Sequence, residues 1–504
     1  MAKATQTLQY SSSSLLLALL ILWCFAETTK PVSAAAAVNS YDEEDDDLHH
    51  FHTLHFTSLF PQSLCTPSSS FTPAGSKQRS STLQVVHRHG PCSVPHLTTP
   101  PSLAEILAAD ESRVESIQAK LAPSYEITRA GKRNKYKDRK VDLPVQPGRS
   151  LGSGNYIVRV GLGTPPKTLS LIFDTGSDLT WTQCQPCARS CYQQQDPIFN
   201  PSSSSSYSNV SCASSQCSQL SSATGNTPGC STKTCVYGIQ YGDQSFSVGF
   251  LSKDTLTISK SAVFQNFFFG CGQNNQGLFG NTAGLIGLGR DQLSVVSQTA
   301  GTYGKYFSYC LPSSSSSTGH LSLGRSRASG SVIFTPFASS SQGAASNSFY
   351  FVDIDGISVG GRALSISQSV FQAAGGTIVD SGTVITRLPP AAYSALSTEF
   401  QQQMKKYPVA PAYSILDTCY DFSNYTNTKI VIPTISFTFR GNAKVNLDAS
   451  GILIAINGKQ ACLAFAGNSD SSTVAIFGNT QQKTLEVVYD VAGGRLGFGA
   501  GGCK

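Results

Sequence analysis

The chain has 504 residues and a formal net charge of +6, with 13% charged and 40% hydrophobic side chains. That length admits one large two-lobed unit or two to three domains. Seven of the eight histidines (His49, His50, His52, His55, His87, His89 and His96) precede residue 140 and only His320 follows; this excludes a Ser-His-Asp triad unless His320 is its base, and leaves no histidine pair for a metal site.

In chain order the first element is an address label. Lys3 precedes an apolar run from Leu15 to Phe25 and small residues around Ser33–Ala37. That order reads as a secretory signal over residues 1–36, cleaved near Ala34–Ala37. The run is too short for a membrane span, so none is expected in the mature form. Residues 1–26 are also Ser-rich and free of acids, which leaves a plastid transit peptide as the alternative; against it, no Arg precedes Arg79.

Residues 37–140 read as a pro-region in three parts. An acidic run (Asp42–Asp47), clustered histidines and Ser/Pro-rich sequence make 38–101 a poorly ordered segment. Ser102 and Glu105 then form a capping box, and Leu103, Ile106, Leu107, Val114, Ile117 and Leu121 recur at helical spacing. The pattern predicts one amphipathic helix that packs on another part of the chain. A basic stretch follows, with Arg129, Lys132, Arg133, Lys135, Lys137, Arg139 and Lys140. Seven cations there could neutralise DNA phosphates; the plainer reading, which we favour, is a solvated, protease-accessible junction. His49–His55 is either a solvated tail or part of a pH-sensitive pro-segment.

From about Val141 the composition turns to strand-like runs with Gly/Ser/Asn turns. Residues 156–163, 168–174, 255–259, 349–361, 376–380 and 485–499 read as strands, and Pro390–Lys406 as a short helix. The body is all-β. IFDTGSDLTW (172–181) and IVDSGTVITRL (378–388) each set an Asp in an Asp-(Thr/Ser)-Gly-(Ser/Thr) turn after apolar β-formers, and AGLIGLG (283–289) corresponds to VAIFGN (474–479). This internal repeat predicts two similar lobes, 141–335 and 336–504, related by a pseudo-twofold axis and meeting near 330–348, with the cleft between them. Asp174 and Asp380 would face each other there. Like charges so close cannot both ionise, so they share a proton and serve as base and acid.

Twelve of the fifteen cysteines lie in 184–503, concentrated in an insert over 184–235. Their even number behind a secretory signal predicts six disulfides. Zinc is the rival for the Cys184/Cys187 pair, but a second CxxC and a nearby His are missing. Asn209-Val-Ser and Asn424-Tyr-Thr are glycosylation sequons.

At these residues the chain resembles the pepsin-like aspartic proteases of plants, specifically the nepenthesin-like branch, over roughly 150–504. The two Asp motifs, the Cys-rich insert, YGDQSFSVG (241–249) and FGCG (269–272) carry the likeness. LQVVHRHGPCS (83–93) resembles a subgroup that includes plastid-nucleoid DNA-binding and apoplastic members. The resemblance implies a bilobal pepsin-like fold with Asp174 and Asp380 as the catalytic pair, Tyr241 and the adjacent Gly242 on a flap, and Trp181 hydrogen-bonded to that tyrosine. It implies that Thr175 and Ser381 lock the two loops together, with Gly176, Ser177, Gly382 and Thr383 completing them. It further implies disulfides 184–187, 191–271, 212–235, 217–230, 310–503 and 419–462; Cys65 and Cys92 are left open.

The function so implied is an aspartic endopeptidase: a monomer acting on peptides and proteins without cofactor or metal, made as a zymogen and sent to the apoplast or vacuole, or alternatively to the plastid. The competing classes are a DNA-binding protease and a non-catalytic binding protein like the plant xylanase inhibitors. Lys and Arg from 132–140 are expected to lie against the anionic cleft at neutral pH. As pH falls below about 6.5 the seven pro-region histidines would charge and repel, loosening the pro-region.

Overall fold

Strand formation here follows from runs of β-branched and aromatic residues cut short by Gly, Ser and Asn turns. The computed structural model describes residues 50–60, 63–67, 81–93, 101–121, 156–241, 244–277, 279–325, 331–338, 348–372 and 375–503, all within one unit, Leu48–Lys504. The signal stretch 1–36, the basic run 129–140, His49, His96 and Gly242 lie outside the described residues.

The N-terminal segment contributes β1 (Phe51–His55), β2 (Ser81–His87) and α1 (Leu103–Leu121). Then come β3 (Tyr156–Leu162), β4 (Lys167–Asp174), β5 (Trp181–Gln183) and β6 (Gly284–Gly287). In the second half we label β7 (Thr377–Val379), β8 (Lys429–Pro433) and β9 (Ala475–Phe477).

One long sheet runs through β2, β3, β4, β6 and β5 and on to the hairpins of the Cys-rich region. On its other side it continues from β2 to strands 318–323, 306–310, 486–490, 495–499 and 332–336. The last strands of the chain therefore sit in the same sheet as the first half, and the lobes do not part cleanly at residue 335. The rest of the second half forms smaller sheets, one holding β7 and β9. The internal repeat has a structural counterpart: β4 pairs in parallel with β6, and β7 in parallel with β9. His320 lies within this framework and pairs with Glu486 at 2.8 Å.

Residues 50–60 and 81–93 are ordered strands and turns, which corrects the reading of 38–101 as poorly ordered. β1 pairs antiparallel with β8, from Phe51↔Pro433 to His55↔Lys429. Phe56 follows it into the core, fully buried, with its ring 5.0 Å from that of Phe422. β2 lies between β3 and strand 318–323, with Leu83 and Val85 buried. Neither strand has a partner within its own segment. The partners come from far along the chain, so local composition conceals the order.

Seven disulfides join the described cysteines, one of them Cys65–Cys92. Cys310–Cys503 and Cys419–Cys462 have the implied partners. The other four implied pairs, 184–187, 191–271, 212–235 and 217–230, are replaced by Cys184–Cys271, Cys187–Cys191, Cys212–Cys230 and Cys217–Cys235. Strand register decides the first two. Thr182 is in register with Cys271 on the parallel neighbour of β5, and both Cys184 and Cys271 are fully buried. Cys187 lies past Pro186 in an exposed loop, within reach of Cys191. The helix Ser215–Thr224 decides the others: its buried face carries Cys217 onto the buried Cys235, leaving Cys212 to the exposed Cys230.

Non-reducing peptide mapping should recover a Cys184–Cys271 cross-link and no Cys184–Cys187 loop; the reverse result would overturn this strand register. Truncating the core anchor, Phe56→Ala, is expected to destabilise docking of the N-terminal segment by about 3–5 kcal/mol. Chemical denaturation followed by amide exchange over 50–60 would show this loss while the central strands stay protected.

Candidate active site

β4 ends in Asp174 and β7 stops one residue short of Asp380. Because each strand is flanked by its parallel partner, both carboxylates are delivered to the same seam, and both are fully buried. Leu288 N–H donates to the Asp174 carbonyl (2.9 Å), and Asp380 N–H donates to the Phe477 carbonyl (3.1 Å). Gly176 N–H donates to Asp174 Oδ1 (3.0 Å) and Gly382 N–H to Asp380 Oδ1 (2.9 Å). The glycines also make room. A Cβ on Gly382 would lie 2.5 Å from Asp174 Oδ1, and one on Gly176 would lie 2.9 Å from Asp380 Oδ1.

The two loops grip each other through hydroxyls. Ser381 N–H donates to Thr175 Oγ1 (2.9 Å), and Thr175 N–H donates to Ser381 Oγ (3.1 Å). Thr383 Oγ1 donates to Asp380 Oδ2 at 2.6 Å. Trp181 Nε1–H donates to the Tyr241 hydroxyl (2.8 Å), and Phe279 packs edge-on against both rings. Ser177 borders the cleft; its carbonyl accepts from Gly289 N–H (2.8 Å). Asn209 and Asn424 are exposed on the surface, apart from this constellation.

The space between the carboxylates is filled by a residue that sequence reasoning missed. Arg113, on α1, reaches Asp174 Oδ1 at 2.7 Å and Asp380 Oδ2 at 2.9 Å with the same guanidinium nitrogen. Its Nε–H also donates to Asp380 Oδ2 (3.1 Å). Burial alone would raise the pKa of Asp174, but the adjacent Arg113 outweighs it and holds the group below the usual carboxylate range. Asp380 is displaced upward by burial, with repulsion from Asp174 adding to the shift against the pull of Arg113. Burial works against the charged guanidinium, yet the two carboxylates push its pKa above the ordinary arginine value. A cation from this helix, Arg113, therefore occupies the dyad; the expected cations at 132–140 lie outside the described residues.

The helix is seated by further polar contacts. Asp110, fully buried, accepts from Val384 N–H (2.5 Å) and Ile385 N–H (3.1 Å) and pairs with Arg387 (3.1 Å). Glu111 also pairs with Arg387 (2.8 Å). Gln118 exchanges two hydrogen bonds with the backbone of Val474 (2.7 and 2.8 Å). Leu107 packs against Val384, Ile385 and Leu416, and Val114, Ile117 and Leu121 against Phe351, Ile378 and Ile476. A signal for this was present: Asp110 and Arg113 interrupt an otherwise apolar helical stripe.

The chain matches the family descriptions Xylanase inhibitor N-terminal over residues 156–325 and Xylanase inhibitor C-terminal over residues 349–500. An aspartyl protease family protein of Arabidopsis thaliana is 55% identical over 455 residues, covering 90% of this chain and 93% of that one. Aspartic proteinase nepenthesin-2 of Nepenthes gracilis is 39% identical over 398 residues, covering 76% and 87%. The structure of basic 7S globulin from soybean superposes with a TM-score of 0.53 at 22% identity, covering 68% and 92%, a likeness of fold. The chain belongs to the pepsin-like aspartic protease family, and within it to the plant nepenthesin-like branch.

Removing the guanidinium leaves two buried carboxylates without their counter-charge. Arg113→Gln is therefore expected to weaken docking of α1 by about 3–5 kcal/mol. Amide exchange over 103–121 at neutral pH measures this, and unchanged protection would show that the ion contacts contribute no net binding.

Proposed function

We propose that this chain is an aspartic-type endopeptidase made as a secreted zymogen, with α1 blocking its own dyad. The observation that carries this reading is the single guanidinium of Arg113 paired with both Asp174 and Asp380. It fills the space that a hydrolytic water needs. The intact Asp loops and the hydroxyl lock between Thr175 and Ser381 support the same reading.

Once α1 leaves the cleft, a water between Asp174 and Asp380 gives a proton to the ionised partner and attacks the scissile carbonyl carbon. The protonated partner donates to the carbonyl oxygen, forming a gem-diol without a covalent enzyme intermediate. Collapse of the gem-diol breaks the C–N bond as the dyad returns a proton to the leaving amine. Which Asp starts protonated is a property of the coupled pair. Tyr241, held by Trp181, acts as the lid that excludes water around a bound peptide.

The matched domain models carry the name of xylanase inhibitors, so a folded binding protein without turnover is the second reading. Complete dyad loops favour the peptidase. Seven disulfides suit the oxidising secretory route to the apoplast or vacuole, and among the described residues no helix is long and apolar enough to cross a membrane.

Hydrolysis of denatured globin at acid pH, with and without pepstatin, is the direct assay. Asp174→Asn or Asp380→Asn should each lower turnover by on the order of 10²–10⁴-fold while the fold survives; retained turnover in either would sink the dyad assignment. Conversely, unprocessed Arg113→Ala protein should cleave a short fluorogenic peptide under conditions where the unprocessed wild type is silent. Equal silence would remove the Arg113 contacts as what maintains the block.

A further inference from the structure

β2 ends in a basic turn, His87-Arg88-His89, and His87 lines a cavity that Val384 and Lys483 of the second half also line. The His89 backbone N–H donates to His87 Nδ1 (3.2 Å), so that nitrogen acts as an acceptor. Arg88 lies against His89 Nε2 through Nε (3.4 Å) and Nη2 (3.2 Å), so this nitrogen accepts as well. An imidazolium has two N–H donors and no acceptor. Neither contact survives protonation.

The surroundings reinforce this. The His87 ring meets the Tyr156 ring edge-on at 5.4 Å and the His89 ring at 5.8 Å. Lys483, from the loop after β9, lines the same cavity of about 220 Å³ as His87 and Tyr156, and its Nζ donates to the Ser450 carbonyl at 3.1 Å. Asp448 acts on Lys483, and Tyr192 lies near Arg88. Among the described residues, no carboxylate pairs with either imidazole at salt-bridge distance.

Resting on the zymogen reading above, we propose that His87 and His89 form a two-proton latch: the docked strand admits only neutral imidazoles, and each takes up one proton from solvent as β2 leaves the sheet. The trigger is thus confined to two of the seven histidines, and it works through proton uptake on release, not through repulsion among solvated cations. Burial first, then Lys483 and Arg88, lower the pKa of His87 to about 3 in the docked state; burial first, then Arg88 and His87, lower that of His89.

The sign follows from those directions. A group with a depressed docked pKa favours docking fully above its free value of about 6.5, and that contribution is lost as pH falls toward the docked value. Each histidine then shifts the docking equilibrium by about tenfold per pH unit below about 6.5, and the pair by about a hundredfold.

Amide hydrogen exchange on the full-length zymogen, corrected for intrinsic rates, tests this between pH 7.5 and 4. Asp380→Asn protein would be used to prevent self-processing. Protection over 83–87 in this background should fall by up to about a hundredfold per pH unit below about 6.5. It should fall by about tenfold in either His87→Gln or His89→Gln, and stay flat in the double variant. Strand β4 serves as the folding control. Lys483→Met, which leaves β2 untouched, should shorten the pH span of the loss by easing protonation of docked His87. Protection independent of pH without the histidine changes, or the same loss in the double variant, overturns the latch. Wild-type peptide hydrolysis is followed in parallel: a latch transition without turnover at any pH would refute the peptidase reading alone.

Discussion

Two carboxylates held face to face and out of water form an arrangement that charge repulsion and desolvation both oppose. It persists only if something supplies a proton or a counter-charge, and here Arg113 supplies the charge. Much of the local structure follows from keeping this seam tight. Glycines at 176 and 382 leave room for the opposite carboxylate, the hydroxyls of Thr175 and Ser381 tie the loops backbone to side chain, and parallel strand partners aim both Asp residues from below.

The N-terminal segment is held at three different depths. β1 adds an edge strand to β8, β2 becomes an interior strand of the long sheet, and α1 fills the cleft. These attachments use different physics: backbone pairing with a buried aromatic anchor at Phe56, sheet continuity at β2, and charge with hydrogen bonding along α1. Conditions that weaken one need not weaken the others, so detachment can proceed stepwise. The buried Asp110 shows how specific the helix contact is, since its carboxylate caps two consecutive backbone N–H groups beside the dyad loop.

The two Asp turns, the internal repeat and the capping-box helix were legible in the sequence because each rests on a local pattern. Ser102 and Glu105 do exchange cap contacts, at 2.9 and 3.3 Å, and α1 covers the predicted stripe. Pairings that depend on register were not legible. Whether Cys184 meets Cys187 or Cys271 depends on how β5 lies beside a strand about ninety residues later. The composition around β1 and β2 reads as poorly ordered for a related reason: their partners are remote. Arg113 was hidden differently. A charge on an apolar helical face reads as an imperfection until the acids opposite it are known.

The closing strands of the sheet have a consequence for the order of assembly. Strands 486–490 and 495–499 complete the sheet that begins with β2 and β3, and Cys310–Cys503 staples them there. During synthesis the first half emerges with strand 306–310 lacking its neighbour 486–490, an edge that can pair wrongly or recruit another chain. That edge closes only when strand 486–490, about 180 residues later, has been translated. The β2 strand, made early, already covers the opposite flank of the same strand set through 318–323. β2 thus flanks one side of this strand set, and strand 486–490 flanks the other.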